Sequence, residues 1–143
     1  MKFISSSYDP EKGTSSVVMQ HLGKKFEGTA KIHPDEFERK SEFAGCNYAE
    51  IRATIKALKY ERQIAKNKSD EALDFVKSCE GYSKFDKDSP SAKAMYRQLN
   101  QRIKRVNDLA DEINDLYRLL DVSIRRRDII LKAYNKKQSK KEN

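Results

Sequence analysis

The sequence predicts an α+β protein: a small N-terminal antiparallel β-meander, then a long antiparallel αα-hairpin, in a chain that assembles with copies of itself. Three observations carry the prediction. Alternating or β-branched segments separated by glycine-bearing turns fill residues 2–32. After Cys46, apolar residues recur at intervals of three and four. The composition is thin in core-formers, with 37% hydrophobic and 36% charged residues among 143. That balance suits a helical protein that buries a stripe against a second copy better than a compact ball.

The first strand is expected around Phe3, Ile4 and Tyr8. Asp9-Pro10 opens a turn that Gly13 closes. "TSSVVMQHL" is β-branched and apolar around Val17, Val18 and Met19, and Gly23 marks the next turn. In "KFEGTAKIH", Phe26, Gly28, Ala30 and Ile32 alternate with polar residues. A sheet of three short strands is not stable alone and must rest one face on something else. Residues 33–45, "HPDEFERKSEFAG", are expected to be a connector with a short helical turn after Pro34.

The first helix is expected to start after Cys46. Its stripe is Tyr48, Ile51, Ile55, Leu58, Ala65, Ala72, Val76 and Cys79, interrupted by Arg62 and Ser69, with Gly81 ending it. "YSKFDKD" forms the hairpin loop, and Ser89 and Pro90 supply an N-cap and a first helical residue. The second stripe is Ala92, Met95, Leu99, Val106, Leu109, Ile113, Leu116, Leu120 and Ile130, interrupted by Arg102, Ser123 and Arg127. No glycine or proline follows Ser91, so this helix is expected to outrun the first. The resulting organisation is one structural domain: meander and connector over 1–46, helical hairpin over 47–136, basic disordered tail over 137–143. The overhanging segment "LLDVSIRRRDIILKAY" would expose its apolar residues in a monomer, which points to self-association.

The net charge is +8, and "NKKQSKKEN" at the end accounts for three of it. The remaining excess favours anionic partners. No apolar run approaches the ~20 residues that span a bilayer, and the N-terminus lacks an apolar leader core. The expected location is therefore cytoplasmic, with Cys46 and Cys79 reduced. The spacing of those cysteines and of His21 and His33 does not suit a metal site. Gly-rich phosphate loops, nucleophile elbows and close Cys/His pairs are missing from the sequence. The carboxylates sit among lysines at helix-surface spacing. The chain is thus expected to be no enzyme and to need no cofactor. Helix-turn-helix, RNA-binding and zinc-finger motifs are also missing, so duplex nucleic acid is not an expected partner.

Arginines near the apolar stripes draw notice: Arg52 at the edge of the first stripe, and Arg102 and Arg127 within the second. A guanidinium offers a planar fork for phosphate or carboxylate. It equally serves in a structural ion pair, and the spacing leaves both uses open. "IRRRD" at 124–128 holds three adjacent arginines, of which Arg127 is in register with the stripe. Tyr82 and Phe85 in the hairpin loop either stack a base or plug the end of the hairpin.

"FAGCNYAEIRA" and "INDLYRLLDVSIRRRDIIL", together with the order of strands and helices, resemble the phage-encoded anti-Thoeris sponge family, the first type described. The sharpest pieces are Gly45 to Ala53 and Ile113 to Leu131. The resemblance implies a non-catalytic role in the infected bacterial cell. Such proteins bind a cyclic ADP-ribose isomer, the second messenger of Thoeris immunity, and sequester it intact. They assemble as hexamers built from dimers, with nucleotide pockets between protomers, and some also capture cyclic oligonucleotides at separate sites. On this reading Arg52 and then Arg127 contact phosphate, Phe85 or Tyr82 stacks on adenine, and Arg126, Arg118 and Arg102 supply further contacts. The alternative is a coiled-coil adaptor or nucleic-acid-associated phage protein.

Overall fold

The structure, a computed structural model, describes residues 1–31 and 42–142; the side chains at 42–44, 127–128, 130–131, 134–135 and 138–142 are outside the description. Three strands come first: β1 (Lys2–Asp9), β2 (Thr14–His21) and β3 (Lys24–Lys31). Two helices follow, α1 (Glu42–Glu80) and α2 (Pro90–Glu142). The predicted class holds: an antiparallel meander in the order β1-β2-β3, then two long helices. The proposed helical turn after Pro34 falls outside the described residues. The chain divides into two compact units, residues 1–57 with 114–143, and residues 58–113.

In the first unit, the turns come from the residues that favour them. The Asp9 carboxylate accepts from the backbone N–H of Glu11 at 2.9 Å, and the Gly13 N–H donates to the Asp9 carbonyl at 2.8 Å. β2 and β3 are joined by Leu22 and Gly23 alone, at φ 52° and 74°. Both central residues are left-handed, as a two-residue hairpin with the natural strand twist requires. β1 carries an irregularity in register between Phe3 and Ser5.

One face of the sheet is covered by α1. Val17, Met19 and Ala30 from the strands pack with Ala49 and Ala53 from the helix, and Cys46 and Tyr48 flank them. Small residues on both sides let backbone approach backbone. A Cβ at Gly28 would collide with the Ala49 carbonyl and the Ala53 N–H. α1 starts at Glu42, five residues before the expected boundary at 47. Gly45 is therefore inside the helix, and the cause is packing. A Cβ at Gly45 would run into the Ser15 hydroxyl, so glycine is what allows the first turns to lie on β2. Glycine costs about 1 kcal/mol in a helix relative to alanine, and the close contact offsets it. Ser15 is fully buried, and its hydroxyl, like that of Tyr8, has no hydrogen-bond partner among the described residues. The Tyr48 hydroxyl donates to the Ser123 carbonyl at 3.3 Å, tying α1 to α2 within this unit.

The second unit is a pair of antiparallel helical arms. Leu58, Val76, Ala92, Leu99, Leu109 and Ile113 are its buried apolar residues. Three polar links set the direction, joining Arg105 to Glu61, Arg102 to Lys68 and Tyr96 to Glu80. The Gly81 N–H donates to the Lys77 carbonyl at 3.2 Å, and the Ser89 hydroxyl accepts from the Ala92 N–H at 3.1 Å. The predicted helix end and N-cap are thus both in place. α2 is helical to Glu142, beyond the expected end at 136. Among the described residues, no helix is long and apolar enough to cross a membrane.

Candidate functional site

The arginine singled out first, Arg52, has a structural occupation. Its Nη1 donates to the Thr29 carbonyl at 2.7 Å. One helical turn on, the Lys56 Nζ donates to the Glu27 carbonyl, also at 2.7 Å. β3 is an edge strand, and Glu27 and Thr29 lie two apart along it. Carbonyls at that spacing point to the same side of a strand. The i,i+4 pair on α1 therefore closes the β3 edge, using donors where another strand would otherwise dock.

The remaining expected residues fall into two groups. Arg118 and Arg126 belong to the first unit, Arg102, Tyr82 and Phe85 to the second. Within one chain, no described contact joins the expected set into a single pocket. Arg118 is 3.7 Å from Asp115 and strongly exposed. Arg126 is exposed, and no hydrogen bond or ion pair engages it among the described residues. The neighbouring Arg125 pairs with Asp121 at 3.1 Å. The Arg127 side chain lies outside the described residues.

Around these arginines the outward side of α2 is apolar. Leu119, Val122 and Ile129 are 51%, 47% and 67% exposed. With Arg126 they occupy positions i, i+3, i+7 and i+10, a single helix stripe. The sequence showed this stripe only in part, because the buried one beside it, Ile113 and Leu120, dominates the periodicity.

In the second unit, Arg102 is half-buried, and its Nη1 donates to the Lys68 carbonyl at 3.1 Å. Tyr82 is 76% exposed. Phe85 packs edge-on against Tyr96, with ring centroids 6.5 Å apart and planes at 77°. The two aromatics expected to act alike thus differ: Phe85 covers the end of the arms, whereas Tyr82 stands in solvent. Tyr96 donates its hydroxyl to the Glu80 carboxylate at 2.8 Å. That hydrogen bond, with burial and the nearby negative charge, raises the phenol above its ordinary pKa. The Arg105 Nη2 meets the Glu61 carboxylate at 2.5 Å, which holds the guanidinium more firmly protonated.

Sequence reasoning passed over one face. Lys93, Tyr96, Arg97, Asn100, Gln101 and Lys104 line a shallow groove of about 430 Å³ on α2. Its signal was available, since Lys93, Arg97, Asn100 and Lys104 stand at i, i+4, i+7 and i+11.

No protein-family model, curated protein or solved structure matches the chain.

Proposed function

We propose that this chain is a non-catalytic, self-associating phage protein of the anti-Thoeris sponge type. It binds a cyclic ADP-ribose-type messenger in the cytoplasm of the infected bacterium and holds it without cleaving it. The observation that carries the reading is the outward stripe of α2. Leu119, Val122 and Ile129 want cover, and among the described residues nothing pairs with the exposed Arg126 side chain on the same stripe. A second copy laid on the stripe would remove the apolar surface from water. It would leave Arg118, Arg125 and Arg126 along the seam, where a pyrophosphate needs fork-shaped donors and reduced access of water. The resemblance of Gly45–Ala53 and Ile113–Leu131 to that family supports the same reading, including hexamers built from dimers and a further capacity for cyclic oligonucleotides.

Arg126 is the first contact to test. Arg52 ranks below it, because one arm of its fork already serves the β3 edge. The experiment incubates the full chain with cyclic ADP-ribose isomers, removes free ligand by gel filtration, heat-denatures the protein and assays what is released. Intact ligand is expected from the natural chain, with capture at least tenfold weaker in Arg126→Ala. Hydrolysed product would make the protein an enzyme and overturn the proposal. Undiminished capture by Arg126→Ala would remove the α2 stripe as its site.

A further inference from the structure

We infer that the face of α2 from Lys93 to Lys104 binds single-stranded nucleic acid, taking successive phosphates on a line of cations and one base against Tyr96. The inference is independent of the messenger reading, since the face lies wholly within residues 58–113 and shares nothing with Arg118, Arg125 or Arg126.

The first ground is geometry. At 100° per residue, Lys93, Arg97, Asn100 and Lys104 fall within about 60° of one another around the helix. They form a straight file along roughly 16 Å, in steps of about 4.5–6 Å, with cations at three of the four positions. That repeat suits the phosphates of an extended strand. All four residues are exposed. Among the described residues, no ion pair or hydrogen bond engages the side chain of Lys93 or of Arg97. Lys104 reaches Asp108 only at 3.8 Å, with the lysine strongly exposed and the aspartate about half exposed, a contact worth little that leaves its charge available.

The second ground is the aromatic ring at the edge of the file. Tyr96 is half-buried and held at two points, through its hydroxyl to Glu80 and through a T-shaped ring contact with Phe85. A ring so fixed is a ready stacking platform, because little side-chain freedom remains to be lost when a base lands on it. Asn100 and Gln101 place amide donors and acceptors beside the ring in the same groove, suited to a base edge or a sugar hydroxyl. The groove is shallow and open along the helix, so a strand can lie across it without having to enter a closed pocket. Carboxylates bound the file at both ends: Glu80 of α1 beside Tyr96, and Asp108 beyond Lys104. The cationic stretch is thus short, three charges long, and faces one strand. A duplex keeps its bases stacked inside and gains nothing from Tyr96.

Fluorescence anisotropy of a labelled ten-nucleotide oligothymidylate with the full chain tests the inference. Each phosphate neutralised on a single strand contributes about 0.7 to the slope of log affinity on log salt, so three cations predict a slope near −2. Arg97→Gln is expected to lower affinity about threefold or more and the slope by about 0.7. Tyr96→Ala is expected to weaken binding about tenfold, within the range for loss of one stacked base, whereas Tyr96→Phe stays within about twofold because it keeps the ring. Unchanged affinity in the combined Lys93→Gln, Arg97→Gln and Lys104→Gln variant would overturn the site and place any binding on other lysines. Equal competition by duplex DNA or by inorganic polyphosphate, phosphate for phosphate, would overturn the single-strand reading and leave a plain polyanion surface.

Discussion

Two single residues concentrate the local strain and the local closeness of this fold. Leu22 holds φ 52° in the β2–β3 turn, a conformation that a branched apolar side chain adopts at a cost of order 1 kcal/mol. It is also exposed, so its side chain returns little of that cost through packing. Leu22→Asn, which creates the Asn-Gly pair favoured in such turns, is expected to stabilise the chain by about 0.5–1 kcal/mol. A shift of the urea midpoint at unchanged slope would register it. Gly28 is the opposite case. Gly28→Ala drives a methyl group into the α1 backbone, and the expected loss is about 1–3 kcal/mol, read as a lower thermal midpoint. Neither residue's role was fully legible. Gly23 announced a turn, but that Leu22 must share its handedness follows only from strands that close in two residues. Gly28 looked like one member of an alternating face, and the need for glycine there arises from how near α1 comes.

At the level of elements, the meander was legible because its turns rest on local chemistry, and the helices because their periodicity is long. The start of α1 was not, since Gly45 weakens a helix locally and only its contact with Ser15 explains its presence there. The occupation of Arg52 was hidden for a similar reason, because a sequence does not say which carbonyls lie beside a guanidinium. Replacing Arg52 and Lys56 together by alanine is expected to destabilise the first unit by about 1–3 kcal/mol, two exposed charge-assisted hydrogen bonds at most. It is also expected to raise the aggregation rate, followed by light scattering at constant protein concentration. In the second unit, Tyr96 links the arms through its neutral hydroxyl. Its pKa is higher folded than unfolded, so its contribution is complete below the unfolded value near 10 and is lost as pH rises through the folded one. Tyr96→Phe is therefore expected to flatten the decline in thermal midpoint above pH 10, with little change in slope between pH 7 and 9.

For the molecule as a whole, the outward stripe of α2 asks for a second copy. Leu119→Lys with Ile129→Lys charges that stripe without touching the buried residues Ile113 and Leu120. The natural chain is expected to elute as an oligomer and the double variant as a monomer of 16.6 kDa by light scattering coupled to gel filtration, with the helical signal in circular dichroism retained. The sequence made the length of the second helix plain, because no glycine or proline after Ser91 interrupts it. It did not separate the two stripes that share that helix, as both repeat at the same interval.

The blocked edge of β3 bears on how such assemblies end. Among the described residues, α1 occupies one rim of the sheet while the outer side of β1 carries no such cap. The β3 rim is thus closed to a further strand, so growth of the sheet would have to run through β1. Two sheets that met rim to rim through β1 would each consume their one vacancy and could recruit no third. The same arginine and lysine that hold sheet to helix would thus make the chain a terminator of β-polymers: capable of a pair, incapable of a fibre.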